Sequence, residues 1–202
     1  MLKLTSFAVA TAFVLASSLH AGVISTYTLQ GTAGFGLLPG SEPGFITGGT
    51  GGEIGAGIFL DDDNDADPNT NLLTISNVGW GSSQGFIDLF SIATASHIHG
   101  PTASNNGNGF TETVGVLFHL TRSSNAVTGG TFTNTPLSLT GAQVTDLNNG
   151  KLYINLHTSG NPGGEMRGFI VMDAVPEPAS VALCGLGTLF LAACQYRRRA
   201  RS

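Results

Sequence analysis

From Gly22 to Ala174 the chain never sustains an apolar repeat at helical spacing. Short alternating runs follow one another instead, cut apart by glycine, asparagine and proline. The runs are Val23 to Gln30, Gly55 to Leu60, Asn71 to Trp80, Phe86 to Ile92, Ser96 to His99, Thr113 to Thr121, Lys151 to His157 and Glu165 to Met172. Turn chemistry separates them at Gly100-Pro101, Asn105-Asn106-Gly107, Gly129-Gly130, Asn148-Asn149-Gly150 and Asn161-Pro162-Gly163-Gly164. Short strands so punctuated predict an all-β domain, an antiparallel sandwich or barrel. Gly31 to Gly52 is too rich in glycine for regular structure and reads as a long surface loop. Thr140 to Leu147 reads as a short helical turn with Thr140 as its cap.

Charge is scarce and unevenly placed. Lys3 stands at the start and Arg197, Arg198, Arg199 and Arg201 at the end, which leaves Arg122, Lys151 and Arg167 for the middle. Twelve carboxylates lie between Glu42 and Asp173, so the middle is strongly acidic and has little with which to neutralise phosphates. Nucleic acid is excluded as a partner on that ground. Both cysteines, Cys184 and Cys194, fall in the apolar C-terminal segment. The β region therefore has no disulfide framework and no cysteine-based zinc site.

The two ends read as addresses. Met1 to Lys3 is a short basic start, the apolar run Phe7 to Ala16 has the length of a signal-peptide core, and Leu19-His20-Ala21 is the expected cleavage context. Near the other end, Val175-Pro176-Glu177-Pro178-Ala179 precedes an apolar stretch to Cys194, then Gln195, Tyr196 and the arginines. That stretch is near the lower limit for one helical span, and the arginines would stay cytoplasmic by the positive-inside rule. Pro176, Glu177 and Pro178, the apolar stretch and the arginines, in that order, resemble a PEP-CTERM sorting signal. The resemblance implies an exported bacterial protein, anchored first in the inner membrane by a transmembrane helix. Signal peptidase and an exosortase would then process it towards the cell surface or the extracellular matrix. The alternative is a plain membrane anchor. The expected organisation is residues 1–21 as signal peptide, 22–174 as β domain and 175–202 as sorting and anchor segment.

Within the middle, Ala95-Ser96-His97-Ile98-His99-Gly100-Pro101 is one distinctive block. The second is Lys151 to Gly168, which contains His157, Asn161, Pro162, Gly163, Gly164, Glu165, Arg167 and Gly168. These blocks resemble the CHRD domain first described in chordins. The resemblance runs from about Thr26 to Asp173 and implies an immunoglobulin-like or superoxide-dismutase-like β-sandwich or barrel.

On a strand, residues two apart share a face. His97 and His99 therefore project together, with Ile98 turned the other way. Leu152, Ile154 and Leu156 make one face of their strand, and Tyr153, Asn155 and His157 the other. If His157 opposes Glu165 across the glycine turn, Asn155 opposes Arg167 and all four share a face.

Two readings of that face are open. His97, His99 and His157 form a three-imidazole site for copper or zinc, or they form a polar network with Glu165 and Arg167 that ties the closing hairpin to its neighbour. The metal layout is similar to that of copper/zinc superoxide dismutases, although the further histidine and aspartate ligands of the dismutase zinc site have no counterpart here. His119 falls out of step with Val116, Phe118 and Leu120 and is expected to face solvent, as is Arg122 at its strand end beside Ser123. Asp61, Asp63, Asp65 and Asp67 stand at alternate positions in one acidic loop, where calcium binding competes with a solvated turn. The glycine-rich stretches lack a following Gly-Lys-Ser/Thr, and no serine sits in an elbow motif, so no phosphate loop or nucleophilic triad is expected.

Three functions follow. The first is a non-enzymatic surface or matrix protein that binds polysaccharide or a surface protein. The second is a dismutase-like metalloprotein using His97, His99 and His157. The third is a passive structural module whose histidines serve only the fold.

Overall fold

Alternating runs pair side by side wherever their backbone donors find one another, and here every strand pairing is antiparallel. A computed structural model describes residues 23–40, 47–62, 71–104, 110–123, 128–133 and 136–173. The expected signal peptide, the sorting segment from Val175, and Asp63, Asp65 and Asp67 of the acidic loop lie outside these residues. Among the described residues, no helix is long and apolar enough to cross a membrane.

In chain order the strands are β1 (Val23–Gly31), β2 (Gly34–Phe35), β3 (Leu38–Pro39), β4 (Gly51–Glu53), β5 (Ile58–Asp62), β6 (Leu72–Thr74) and β7 (Val78–Trp80). They continue with β8 (Ala93–His99), β9 (Val116–His119), β10 (Gly130–Thr131), β11 (Leu137–Ser138), β12 (Tyr153–Thr158) and β13 (Met166–Met172). The helix α1 (Gly141–Asn148) precedes β12. One ten-stranded sheet runs β11-β6-β5-β1-β13-β12-β8-β9, with β2 on β1 and β3 on β13, and curls into a nearly closed barrel. A three-stranded sheet, β10-β7-β4, stands apart from it. Among the described residues the domain is thus mostly β with one α-helix, as the punctuated alternation predicts.

The core is where the apolar faces meet. Leu29, Leu60, Leu73, Ile98, Ile154 and Ile170 are fully buried there, with Trp80 tilted against Phe132 at 5.0 Å between ring centres. Burying one such aliphatic side chain is worth about 1.5–3 kcal/mol, so the core rather than any cross-link supplies the stability. Thr140 caps α1: its hydroxyl accepts from Gln143 N, and the Gln143 side chain accepts from Thr140 N. The helix buries Val144 and Leu147 and packs against β13. The Tyr27 hydroxyl donates to the Asn148 side chain at 2.5 Å, fixing the helix end to β1.

Three sequence expectations need correction. Gly31 to Gly52 is not one irregular loop, for it contains β2, β3 and β4 and the fully buried Leu37, which bridges to Gly51. Glycine permits this rather than preventing it. Gly36 has φ 102°, and a Cβ there would stand 2.5 Å from the Gly51 carbonyl oxygen. Asn71 to Trp80 is two short strands, broken after Thr74. Phe86 to Ile92 forms no strand, because its donors go to scattered partners. Ile87 N binds Thr50 Oγ1, Leu89 N binds Thr128 O, and Phe90 N binds the Glu165 carboxylate.

Candidate functional site

β12 lies between β8 and β13, so the two distinctive sequence blocks become three adjacent strands. Along the β8–β12 ladder His99 pairs with Tyr153, His97 with Asn155, and His157 with Ala95. Ile98 and Ile154 face each other in the core, which turns the three histidines to the other side. One ligand atom from each of His97, His99 and His157 lies within 4.8 Å of the others. His97 Nδ1 and His157 Nε2 are 3.1 Å apart.

Backbone carbonyls fix two of these rings. His99 Nδ1 contacts Val114 O at 2.9 Å, and His157 Nδ1 contacts Pro162 O at 2.7 Å. A carbonyl oxygen only accepts, so each Nδ1 carries the proton, and in the neutral ring Nε2 is the lone-pair nitrogen. His99 is also stacked on Tyr153, the rings 7° from parallel and 5.1 Å between centres. Burial, and after it the rings of His157, His99 and His119 and then Arg122, push the His97 pKa down to about 4. The cluster is therefore built to hold His97 neutral.

His119 belongs to this face. It pairs with His97 across β8–β9 and meets its ring edge-on at 4.8 Å. Its side chain is exposed and out of step with Phe118 and Leu120, as expected; only Val116 departs from the expected alternation, being exposed as well. The register shifts between Ile98 and His99, so Val116 and His119 both pair with histidines while Phe118 faces Ile98.

Glu165 and Arg167 serve other partners. Asn155 does oppose Arg167, and both are buried. The Glu165 carboxylate accepts from Gly49 N at 3.0 Å, Phe90 N at 2.6 Å, Thr158 Oγ1 at 2.8 Å and Asn161 Nδ2 at 3.5 Å. It ties the segment around Gly49 and the 86–92 segment to the closing turn. The Arg167 guanidinium donates to Phe110 O at 3.0 Å and Glu112 O at 2.8 Å, and its carbon stands 3.5 Å from the Tyr153 ring centre. The acid and the base thus hold loops on either side of the histidines. Arg122, expected in solvent, is half-buried and donates to Ser96 Oγ and Thr94 O. Burial lowers its pKa.

The turn residues are architectural. Gly164 N donates to Asn161 O, Asn155 Nδ2 donates to Gly163 O, and Pro162 supplies the carbonyl that orients His157. Gly100 N donates to Gly115 O, and Gly100 is joined to Pro101 by a cis peptide. Gly168 opposes Ile154, and a Cβ on it would press on the Gly36 carbonyl oxygen at 2.8 Å. Asp61 is exposed on β5 opposite Ile24, at the start of the acidic loop.

Sequence reasoning gave no role to Tyr153, Val114 and Phe110 beside the histidines and Arg167. Tyr153 was legible only as a member of the right face, and a backbone carbonyl leaves no trace in composition. The CHRD domain model matches residues 41–170, more than half of the chain. No curated protein and no solved structure matches it. The match covers every strand of the histidine face, so the chain belongs to the CHRD domain family.

Proposed function

We propose that this is an exported bacterial surface or extracellular-matrix protein, tethered at first to the inner membrane, whose CHRD domain is a non-enzymatic binding or structural module. The observation that carries the reading is the family match over residues 41–170. The buried charges agree with it: Glu165 and Arg167 are taken up by loop amides and carbonyls that fix the fold. The partners in this reading are signal peptidase and an exosortase during processing, and a polysaccharide or surface protein afterwards. The acidic domain disfavours polyanions.

The Pro176-Glu177-Pro178 motif, with its apolar stretch and arginines, supports the sorting route. Replacing all three motif residues with alanine in a host with an active exosortase should leave an unprocessed, membrane-bound form. A reporter fused after Ser202 should stay cytoplasmic. Normal processing of the alanine variant would sink the sorting reading.

A second reading, a copper- or zinc-dependent dismutase-like protein, draws on the convergence of His97, His99 and His157. Superoxide dismutation by the copper-loaded full chain, lost in His157→Gln, would favour it. Equal rates with and without the histidine would remove it.

A further inference from the structure

We propose that His97, His99 and His157 form a preorganised three-imidazole site for one divalent transition-metal ion, holding copper(II) more tightly than zinc. The site goes beyond the binding-module reading and does not depend on how the chain is sorted or on any catalysis.

Four observations carry it. The ligand atoms come from β8 and β12, two neighbouring strands of the sheet whose other faces are locked in the core through Ile98 and Ile154, so the backbone cannot easily spread them. The tautomers are set: Val114 O and Pro162 O hold the Nδ1 protons of His99 and His157, which turns Nε2 of each into the donor atom. Metal-bound histidines are commonly oriented by such an outer carbonyl. The spacing is right. His97 Nδ1 and His157 Nε2 are 3.1 Å apart, and two nitrogens bound tetrahedrally at about 2.0–2.1 Å would be separated by about 3.3 Å. Last, the donor set is all imidazole, with neither thiolate nor carboxylate in it. That composition suits zinc and copper and is poor for calcium or magnesium.

Without metal, His97 Nδ1–H donates to His157 Nε2. On binding, the His97 proton moves to Nε2, and both facing lone pairs turn to the ion. The widest separation, now within 4.8 Å, closes by side-chain rotation. His97 and His157 are half-buried, so a fourth position opens outward, beside the exposed His119 ring. Copper(II) should exceed zinc because it stands higher in the order of divalent affinities for nitrogen sites.

The test uses the full chain with Cys184 and Cys194 changed to serine, His20 changed to glutamine and a purification handle free of histidine, so that His119 is the one remaining imidazole outside the site. Equilibrium dialysis with elemental analysis should give one copper or one zinc per chain, and titration should rank copper(II) above zinc. Calcium and magnesium in excess should not displace either. His157→Gln and His97→Gln should each weaken zinc by roughly a hundredfold or more, beyond the 10–100-fold that loss of an outer partner costs. His119→Gln should stay within about tenfold of the parent. The copper(II) resonance spectrum should show splitting from several nitrogens, and His157→Gln should reduce it. Circular dichroism melts of the metal-free variants establish that they fold. Absence of both metals from the parent, or unchanged zinc affinity in folded His97→Gln and His157→Gln chains, would overturn the site. A His119→Gln loss as large as that of His157→Gln would overturn the three-residue assignment.

Discussion

The Arg167 guanidinium carbon lies 3.5 Å from the centre of the Tyr153 ring, and Tyr153 is in turn stacked on His99. One buried cation thus steadies the platform on which a site histidine rests. Its loss leaves the carbonyls of Phe110 and Glu112 without a donor, at about 1–3 kcal/mol each. A desolvated cation–π contact is worth about 2 kcal/mol more. Arg167→Ala is therefore expected to cost roughly 3 kcal/mol or more. Arg122→Ala removes two hydrogen bonds from a half-buried side chain and should cost about 1–2 kcal/mol. Chemical denaturation of the two variants beside the parent measures the difference. Equal midpoints for the two variants would mean that the Arg167 layer contributes no more than the two hydrogen bonds of a half-buried arginine.

Gly164 has φ 127°, and a Cβ on it would collide with the side-chain amide of Asn155. The Gly164→Ala change therefore combines backbone strain with overpacking, together about 2–4 kcal/mol. Because the same turn presents Pro162 O to His157, the variant should also broaden or shift the His157 ring resonances. A thermal midpoint within a degree of the parent would show that the turn accepts a side chain.

Glu112 carries a pH dependence. Hydrogen bonds from the Ser104 side chain, then from the Ser104 and Ala103 backbones, hold its carboxyl below the ordinary value of 4.5. A depressed carboxylate stabilises the fold above its unfolded pKa, and that stabilisation is lost as pH falls through the folded value. The parent should therefore lose stability in the acid range below about pH 4.5 more steeply than Glu112→Gln does. At pH 7 the variant should be the less stable of the two. Urea midpoints between pH 7 and pH 3 provide the measurement, and parallel curves would contradict the role given to Glu112.

Thr140→Ala removes one half of the capping box that starts α1. The expected cost is about 1 kcal/mol, and Thr140→Ser should restore most of it. Identical midpoints for parent and alanine variant would place the helix start under the control of Val144 and Leu147 packing alone.

What the sequence revealed and what it hid have separate physical causes. The faces of β8 and β12 were legible because strict alternation places Ile98 and Ile154 on one side and His97, His99 and His157 on the other. The opposition of Asn155 to Arg167 followed from the tight turn between their strands. His119 faces solvent as its alternation with Phe118 and Leu120 predicts, while Val116 does not follow, because β9 carries an extra residue, Leu117, between the partners of Ile98 and His99. The Phe86 to Ile92 run failed because alternation says nothing about where backbone donors go, and here Phe90 N goes to a carboxylate 75 residues away. Glu165 looked like a companion of His157 by proximity in sequence, yet its oxygens face the amides of Gly49 and Phe90.

Because β1 pairs with β13 in antiparallel sense, Asp173 N reaches Thr26 O at 2.9 Å, and the described chain enters and leaves the sheet at one end. Tension applied between residues 23 and 173 would peel this pair apart rung by rung from Tyr27 and Met172, the loading direction in which a ladder resists least. Tension through the C-terminal end alone, with the rest of the domain gripping its surroundings, spreads over the ladders on both sides of β13 at once. The same fold is thus weak when pulled between its two ends and stronger when pulled at one of them.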